Sequence, residues 1–306
     1  MKTMKIMKTM RILGLSSLVL MFACKPDLRV PEGYDEYGNR LVRRVTEIYS
    51  DVCHPIDFYY DELGRIVTVT DSYTHSNWGF LAWNEYVFER SGGNLEIKGH
   101  WKAKVSDGWH WKAKGYSFLQ KIPIGSFSPK DSLRIWDTTL VEARCRLNAD
   151  GTISELANYV GQTFSYGYMD GLLEEERGAK EGVEEGARQY VWKGGDLVGL
   201  ESTLLPRGRF EVSYGLDTNR TNLNITALLD AAADRNNMGL TSSCYEGLFP
   251  YKGEKPVHLP LAFTDDFLSF GRPTYYSYVF DSEGFPVEIE ERDAEGRWQR
   301  TWKFEY

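Results

Sequence analysis

From Tyr34 to the C-terminus the chain is a succession of short runs rich in Val, Ile, Thr, Tyr, Trp and Phe, in which apolar and polar positions alternate. A period of two with β-branched and aromatic enrichment predicts half-buried antiparallel strands. Between the runs stand turns in which Gly follows Asp or Asn at a fixed offset. The unit recurs as YDEYGNRLVRRV (34–45), YYDELGRIVTVT (59–70), RLNADGTISEL (146–156), VFDSEGFPVEIE (279–290) and ERDAEGRWQRTW (291–302). In a three-residue hairpin loop the third position takes a positive φ, which Gly adopts without a Cβ clash. The Asp before the loop accepts hydrogen bonds from its backbone. In the last unit this makes Ala294, Glu295 and Gly296 the loop and sets Asp293 opposite Arg297 and Glu290 opposite Arg300. In YYSYVFD (275–281) alternation places Tyr276, Tyr278 and Phe280 on one core-facing side.

Helical periodicity is confined to one place. In TNLNITALLDAAADRNN (221–237), Ile225, Leu228, Leu229 and Ala232 recur at helical spacing after Asn222 or Asn224, either of which can cap. This predicts a short helix near 223–235, followed by irregular loop to about Pro260. The stretch 171–190 fits a helix or a hairpin with an acidic loop, and its glycines weigh against the helix. The expected fold is all-β with a minor helix. It is an antiparallel meander of hairpins forming a curved, open or half-closed sheet, with residues 32–306 as one elongated domain.

The stretch HWKAKVSDGWHWKAK (100–114) repeats HWKAK around a turn. A loop of Ser106, Asp107 and Gly108 pairs Val105 with Trp109, Ala103 with Trp111 and Lys102 with Lys112. That register gathers His100, Lys102, Lys104, His110, Lys112 and Lys114 on one face and Trp and Ala on the other. The basic face is a candidate for an anionic partner. It is no metal site, because His100 and His110 stand about four residues of strand apart.

The N-terminus changes the setting. Lys2, Lys5, Lys8 and Arg11 precede the apolar stretch Ile12 to Ala23, too short for a membrane span and of the length of an export signal. Met21-Phe22-Ala23-Cys24 resembles the lipobox of bacterial lipoproteins. The expectation is a signal peptide over 1–23, an acylated Cys24 and a tether over 24–31, with the body held to the outer membrane and facing either periplasm or cell surface. The whole chain carries a formal charge of −8, more acidic still without its leader, which weighs against nucleic acid as a partner. Cys53, Cys145 and Cys244 lack a CxxC spacing and read as buried thiols, or as one bridge with a thiol left over.

Familiar catalytic signatures are missing from the sequence: there is no G-x-S-x-G, H-E-x-x-H, Walker A or G-x-G-x-x-G pattern. His54, before Pro55, reads as a turn residue, and His258 as a loop residue. Nothing among 44 Asp and Glu singles out a glycosidase pair. Trp78, Trp83, Trp136 and Tyr275 are candidate platforms for sugar rings, set against the alternative that such aromatics fill a sheet core. No enzyme, cofactor or metal is expected.

The YDELGR segment (60–65) resembles the degenerate YD unit of RHS-type repeats. The helix NLNITALL (222–229), Leu259-Pro260, YVFDSEGFPV (278–287) and the final WKFEY (302–306) together resemble a domain-of-unknown-function family of gut Bacteroidetes lipoproteins. That resemblance implies an exported β-rich lipoprotein and lends no catalytic residue. The resulting expectation is a non-catalytic binding lipoprotein of the bacterial envelope, its ligand a glycan or a protein partner. A carrier sheltering an apolar molecule in the concave sheet is the alternative, and a glycan hydrolase is a third.

Overall fold

In a computed structural model the described residues form sixteen strands. These residues are 32–35, 37–49, 52–75, 80–106, 133–159, 161–204, 208–229, 252–266 and 271–306. The strands are β1 (Arg44–Tyr49), β2 (Val52–Tyr60), β3 (Ile66–His75), β4 (Phe80–Ser91), β5 (Asn94–Ser106), β6 (Leu133–Leu147), β7 (Ile153–Asn158) and β8 (Gln162–Met169). They continue as β9 (Leu172–Lys180), β10 (Val183–Lys193), β11 (Asp196–Ser202), β12 (Gly208–Thr218), β13 (His258–Asp265), β14 (Pro273–Phe280), β15 (Pro286–Arg292) and β16 (Trp298–Glu305). Each strand pairs antiparallel with its neighbours in sequence, as a meander requires.

The sheet is not open. β1 pairs with β16, Val45 opposite Phe304 and Glu47 opposite Trp302, and this closes the barrel. The expectation of an open or half-closed sheet is corrected accordingly. An open sheet of this length would leave two long unpaired edges, and closure removes both.

The repeated turns build one end of the barrel and part of the other. At Asp61 the carboxylate Oδ1 accepts from the Leu63 and Arg65 amides at 3.0 Å each, while the Gly64 amide donates to the Asp61 carbonyl. Asp281 holds Glu283 and Phe285 in the same way, and Asp293 holds Glu295 and Arg297. Gly64, Gly284 and Gly296 take φ values of 72°, 83° and 78°. After the last turn the register departs from expectation. An irregularity between Glu291 and Arg292 sets Glu291 opposite Arg300 and Glu290 opposite Thr301.

The segment 171–190 is the β9–β10 hairpin, not a helix, with Glu181 and Gly182 at positive φ in its turn. Of the helix expected near 223–235, residues 225–229 are helical, with the Asn224 Oδ1 accepting from the Ala227 amide, and residues 230–235 lie outside the described residues. The loop expected to about Pro260 ends earlier, since β13 starts at His258 and pairs Pro260 with Tyr214.

Inside the barrel, alternation sorts the side chains. Val45, Ile56, Phe58, Val69, Phe88, Ile97, Cys145, Leu156, Ile289 and Phe304 face a buried core that Ile225, Leu228 and Leu229 of the helical turn join. The segment is tied in by polar contacts. The Asn222 Oδ1 accepts from the Val42 amide, its Nδ2 donates to the Tyr60 hydroxyl, and that hydroxyl donates to the Val42 carbonyl. Arg220 donates to the Glu283 carbonyl and Arg40 pairs with Asp281, so the helix closes off the end formed by the β2–β3 and β14–β15 turns. We call this the plug end.

The outer wall is charged. Cross-strand ion pairs run round it, including Arg44 with Asp57, Lys98 with Glu89, Arg144 with Glu96, Arg146 with Glu155, and Lys303 with Glu288. A barrel wall in contact with lipid needs an apolar band about 25 Å tall, and a charge near the bilayer midplane costs about 2–4 kcal/mol. Among the described residues, ionised pairs lie on this wall beside exposed apolar side chains such as Tyr59, Tyr275 and Val279, while the buried apolar side chains face inward.

Candidate functional site: a polar belt inside the barrel

On β1, β2, β3 and β4 the positions that continue the inward, apolar parity turn polar away from the plug end. Glu47 follows Val45, Asp71 follows Val69, and His54 and Asn84 precede Ile56 and Tyr86. All four are buried. Arg300 on β16 and Glu291 on β15 extend the series. Together the six side chains form a chain of contacts across six neighbouring strands.

Arg300 is the central cation. Its Nη1 donates to the Glu47 Oε1 at 3.1 Å, its Nε lies 3.7 Å from the Glu291 Oε1, and its guanidinium stands over the Tyr49 ring, 5.8 Å from the centroid. The second oxygen of Glu47 lies 3.5 Å from the His54 Nδ1, and the His54 Nε2 lies 3.9 Å from the Asp71 Oδ2. The Asn84 Nδ2 donates to the Asp71 Oδ1 at 2.5 Å. Burial pushes the Glu291 carboxyl above the ordinary range; Arg300 opposes that shift and the charge of Glu47 adds to it.

Among the described residues, two buried polar atoms in or beside the belt have no hydrogen-bond partner, the Asn84 Oδ1 and the Trp302 Nε1. Trp302 faces Glu47 across the β1–β16 seam. A second buried group lies about halfway round the barrel. There Glu176 accepts from the Tyr190 hydroxyl at 2.9 Å and pairs with Arg188 at 3.4 Å. Burial would raise the Glu176 carboxyl, but Lys252, Arg188 and Tyr190 together hold it below the usual range.

The belt is polar and mixed in sign. Among the described residues no three His, Cys, Asp or Glu side chains are arranged to hold a metal ion. Sequence reading missed the belt because His54, expected in a turn, is an inward residue of β2. Arg300 was assigned to Glu290, when the irregularity beside Arg292 turns it toward Glu291. The available signal was a polar residue on the apolar parity of successive strands.

Among the described residues, those singled out from the sequence do not assemble into one site. The partner expected for β5 was 109–113, but β5 lies between β4 and β6, with Lys102 opposite Trp83 and Asp137 and Lys104 opposite Leu81 and Ile135. The HWKAK hairpin in its expected register is therefore corrected: both edges of β5 are already taken. His100 lies on the outer wall, 3.9 Å from Glu85 and edge-on to Trp83 at 5.7 Å between centroids. His110, Lys112, Lys114, Trp78, Cys24 and Cys244 lie outside the described residues. Trp136 is on β6 opposite Ala103, and Tyr275 is 49 % exposed on the outside of β14.

His258, expected in a loop, opens β13 and is clamped by Asp196, which accepts from its amide at 2.9 Å and meets its Nδ1 at 2.8 Å. Cys53 and Cys145 are both free thiols. Cys53 is exposed, and burial pushes the Cys145 thiol up to about 12.

No family model and no curated protein matches the chain. Among solved structures, a porin-like protein from Bacteroides uniformis shares the fold, with 15 % identity, a TM-score of 0.52, and coverage of 86 % of this chain and 96 % of the other. A porin-like protein from Bacteroides vulgatus matches with 12 % identity and a TM-score of 0.40, over 87 % of this chain and 98 % of the other. The class of protein that the fold defines is thus a closed β-barrel of porin-like architecture, with a charged outer wall and an apolar core at one end.

Proposed function

We propose that this chain is an exported, lipid-anchored, non-catalytic binding protein of the bacterial envelope, whose barrel stands in water and takes a glycan or a protein partner. The observation that carries this reading is the polarity of the two walls. Ion pairs outside oppose immersion in a bilayer, so a membrane attachment would come from an acyl chain on Cys24 rather than from the strands. The likeness to a porin-like protein supports an envelope setting. A carrier of apolar cargo has less support, because the chain's own helical turn joins the apolar side chains inside the plug end. Glu47 and Glu291 share the Arg300 guanidinium and serve as its charge partners, which leaves a hydrolase the weakest reading.

The test has two parts. Cells fed a clickable fatty acid should label the wild-type protein and not Cys24→Ser, and the unlabelled variant should leave the membrane fraction on carbonate washing. Purified protein, its leader removed, should stay monodisperse without detergent; a requirement for detergent would overturn the water-facing barrel.

A further inference from the structure

We infer that the plug end of the barrel rests on the lipid surface to which the chain is tethered, its exposed apolar rim set among the headgroups. The inference goes beyond the anchored reading above and rests on it, because that reading supplies the membrane. Single exposed apolar side chains are ordinary on a protein surface, whereas a group of them at one end calls for a cause. Tyr37 stands in the turn held by Asp35, Leu63 in the β2–β3 turn and Met169 at the last position of β8. Leu216 stands near the end of β12, Val257 just before β13 and Val279 one residue from the end of β14. In a meander the β2–β3, β8–β9, β12–β13 and β14–β15 connections fall at one end, so all six belong to the plug end. Leu216 is 95 % exposed and Tyr37 82 %, and neither is a core residue showing an edge. The β12–β13 pairing breaks between Tyr214 and Thr218, which leaves Leu216 outside the ladder. Among the described residues, the opposite end exposes Val183 and Trp298 as its large apolar side chains.

The chain enters the barrel at the same end. The Gly33 carbonyl accepts from the Leu41 amide at 2.8 Å, Tyr34 bridges to Arg40, and Arg40 bridges to Thr221 beside the helix. Asp35 packs on the β2–β3 turn so closely that a Cβ on Gly64 would lie 2.8 Å from the Asp35 Cα. From Cys24 to Gly33 the backbone can reach at most about 32 Å. Acyl chains on Cys24 thus keep the plug end within that reach of the bilayer, and the apolar rim decides how it lies.

The layout of the rim selects its occupant. Its members come from the N-terminal turn and from hairpins of β2, β8, β12, β13 and β14, spread round the barrel rather than joined in one patch. A protein partner needs a contiguous patch of about 800 Å² a side. A fluid plane meets a ring of separate side chains at once. Between them stand charged groups, Asp61 with Arg65 and Asp281 with Arg40, which suit the hydrated headgroup layer and stop the rim short of the acyl interior. With a formal charge of −8 on the chain, the contact draws on apolar side chains rather than on anionic lipid.

The experiment uses the acylated protein reconstituted into vesicles of phosphatidylcholine and phosphatidylethanolamine. Cys53→Ser and Cys244→Ser remove competing thiols, and Cys145 is buried. A solvent-sensitive dye is placed on Leu216→Cys, on Val279→Cys or, at the opposite end, on Val183→Cys. Lipid with a spin-labelled headgroup should quench the first two at least threefold more than the third, and added phosphatidylglycerol should not raise the quenching. Equal quenching at all three positions, or the strongest at Val183→Cys, overturns the inference and leaves the anchor standing where Cys24 takes up fatty acid. Dimers of Cys24→Ser without vesicles, with the dye on Leu216→Cys already shielded, mean that a second copy covers the rim and overturn the lipid surface. Where Cys24 takes up no fatty acid the anchored reading fails, and flotation of the leaderless chain with the same vesicles decides the rim. Flotation that falls at least fivefold in the double variant Leu216→Asp, Val279→Asp sustains it; no flotation of the unsubstituted chain overturns it.

Discussion

The same chemistry, carboxylate against guanidinium or ammonium across neighbouring strands, occurs on both faces of this barrel, and the two faces differ in everything else. Outside, Arg144 meets Glu96 at 2.9 Å with 70 % of the arginine side chain in solvent. Inside, Arg300 meets Glu47 at 3.1 Å and the glutamate is wholly buried. An exposed pair is screened by water, contributes little, and serves here to keep the wall wettable. A buried pair has surrendered its hydration, so it binds its members together without adding much net stability, and removing one partner strands the other.

The largest effect should therefore come from Arg300→Met. It leaves Glu47 and Glu291 without their shared cation and should cost about 3–5 kcal/mol in urea denaturation. A double-mutant cycle between Glu47→Gln and Arg300→Met should return a coupling of about 1–3 kcal/mol. A coupling near zero would erase the distinction between the faces.

Acid sharpens the contrast. Glu176 is held below its unfolded value of 4.5, so the unfolded state binds the proton more readily. Its contribution to stability is full above about pH 4.5 and is lost as pH falls through the lower folded value. The urea midpoint of the wild type should drop over that acid window, and Glu176→Gln should flatten the drop.

A smaller effect, about 1 kcal/mol, is expected for Asp281→Ala. Asp281 is near the surface, but its main partners are the fixed amides of Glu283 and Phe285 rather than a mobile cation. Smallest of all, Arg144→Gln should change stability by less than about 0.5 kcal/mol, and added salt should abolish even that.

What the sequence disclosed was local. A turn of the type around Asp61 is decided by five consecutive residues, and the alternation of Tyr276, Tyr278 and Phe280 by five more, so both are legible in the sequence. What it withheld depends on distant residues. Nothing near Val45 specifies Phe304 as a neighbour, and closure was missed for that reason. The repeated HWKAK suggested its own partner, yet β5 pairs across a 26-residue connection with β6. The belt was hidden in two places: His54 before Pro55 reads as a turn residue, and the irregularity beside Arg292 shifts the pairing by one position, so that Arg300 meets the buried Glu291 rather than Glu290.

Joining the first strand to the last has a consequence for biogenesis. A chain synthesised from its N-terminus exposes β1 first, and β1 must wait with one side unsatisfied until β16 emerges some 250 residues later. Synthesis thus ends before the molecule can be sealed, and a product truncated before Trp298 would carry a permanently sticky flank, open to another such fragment or to a chaperone.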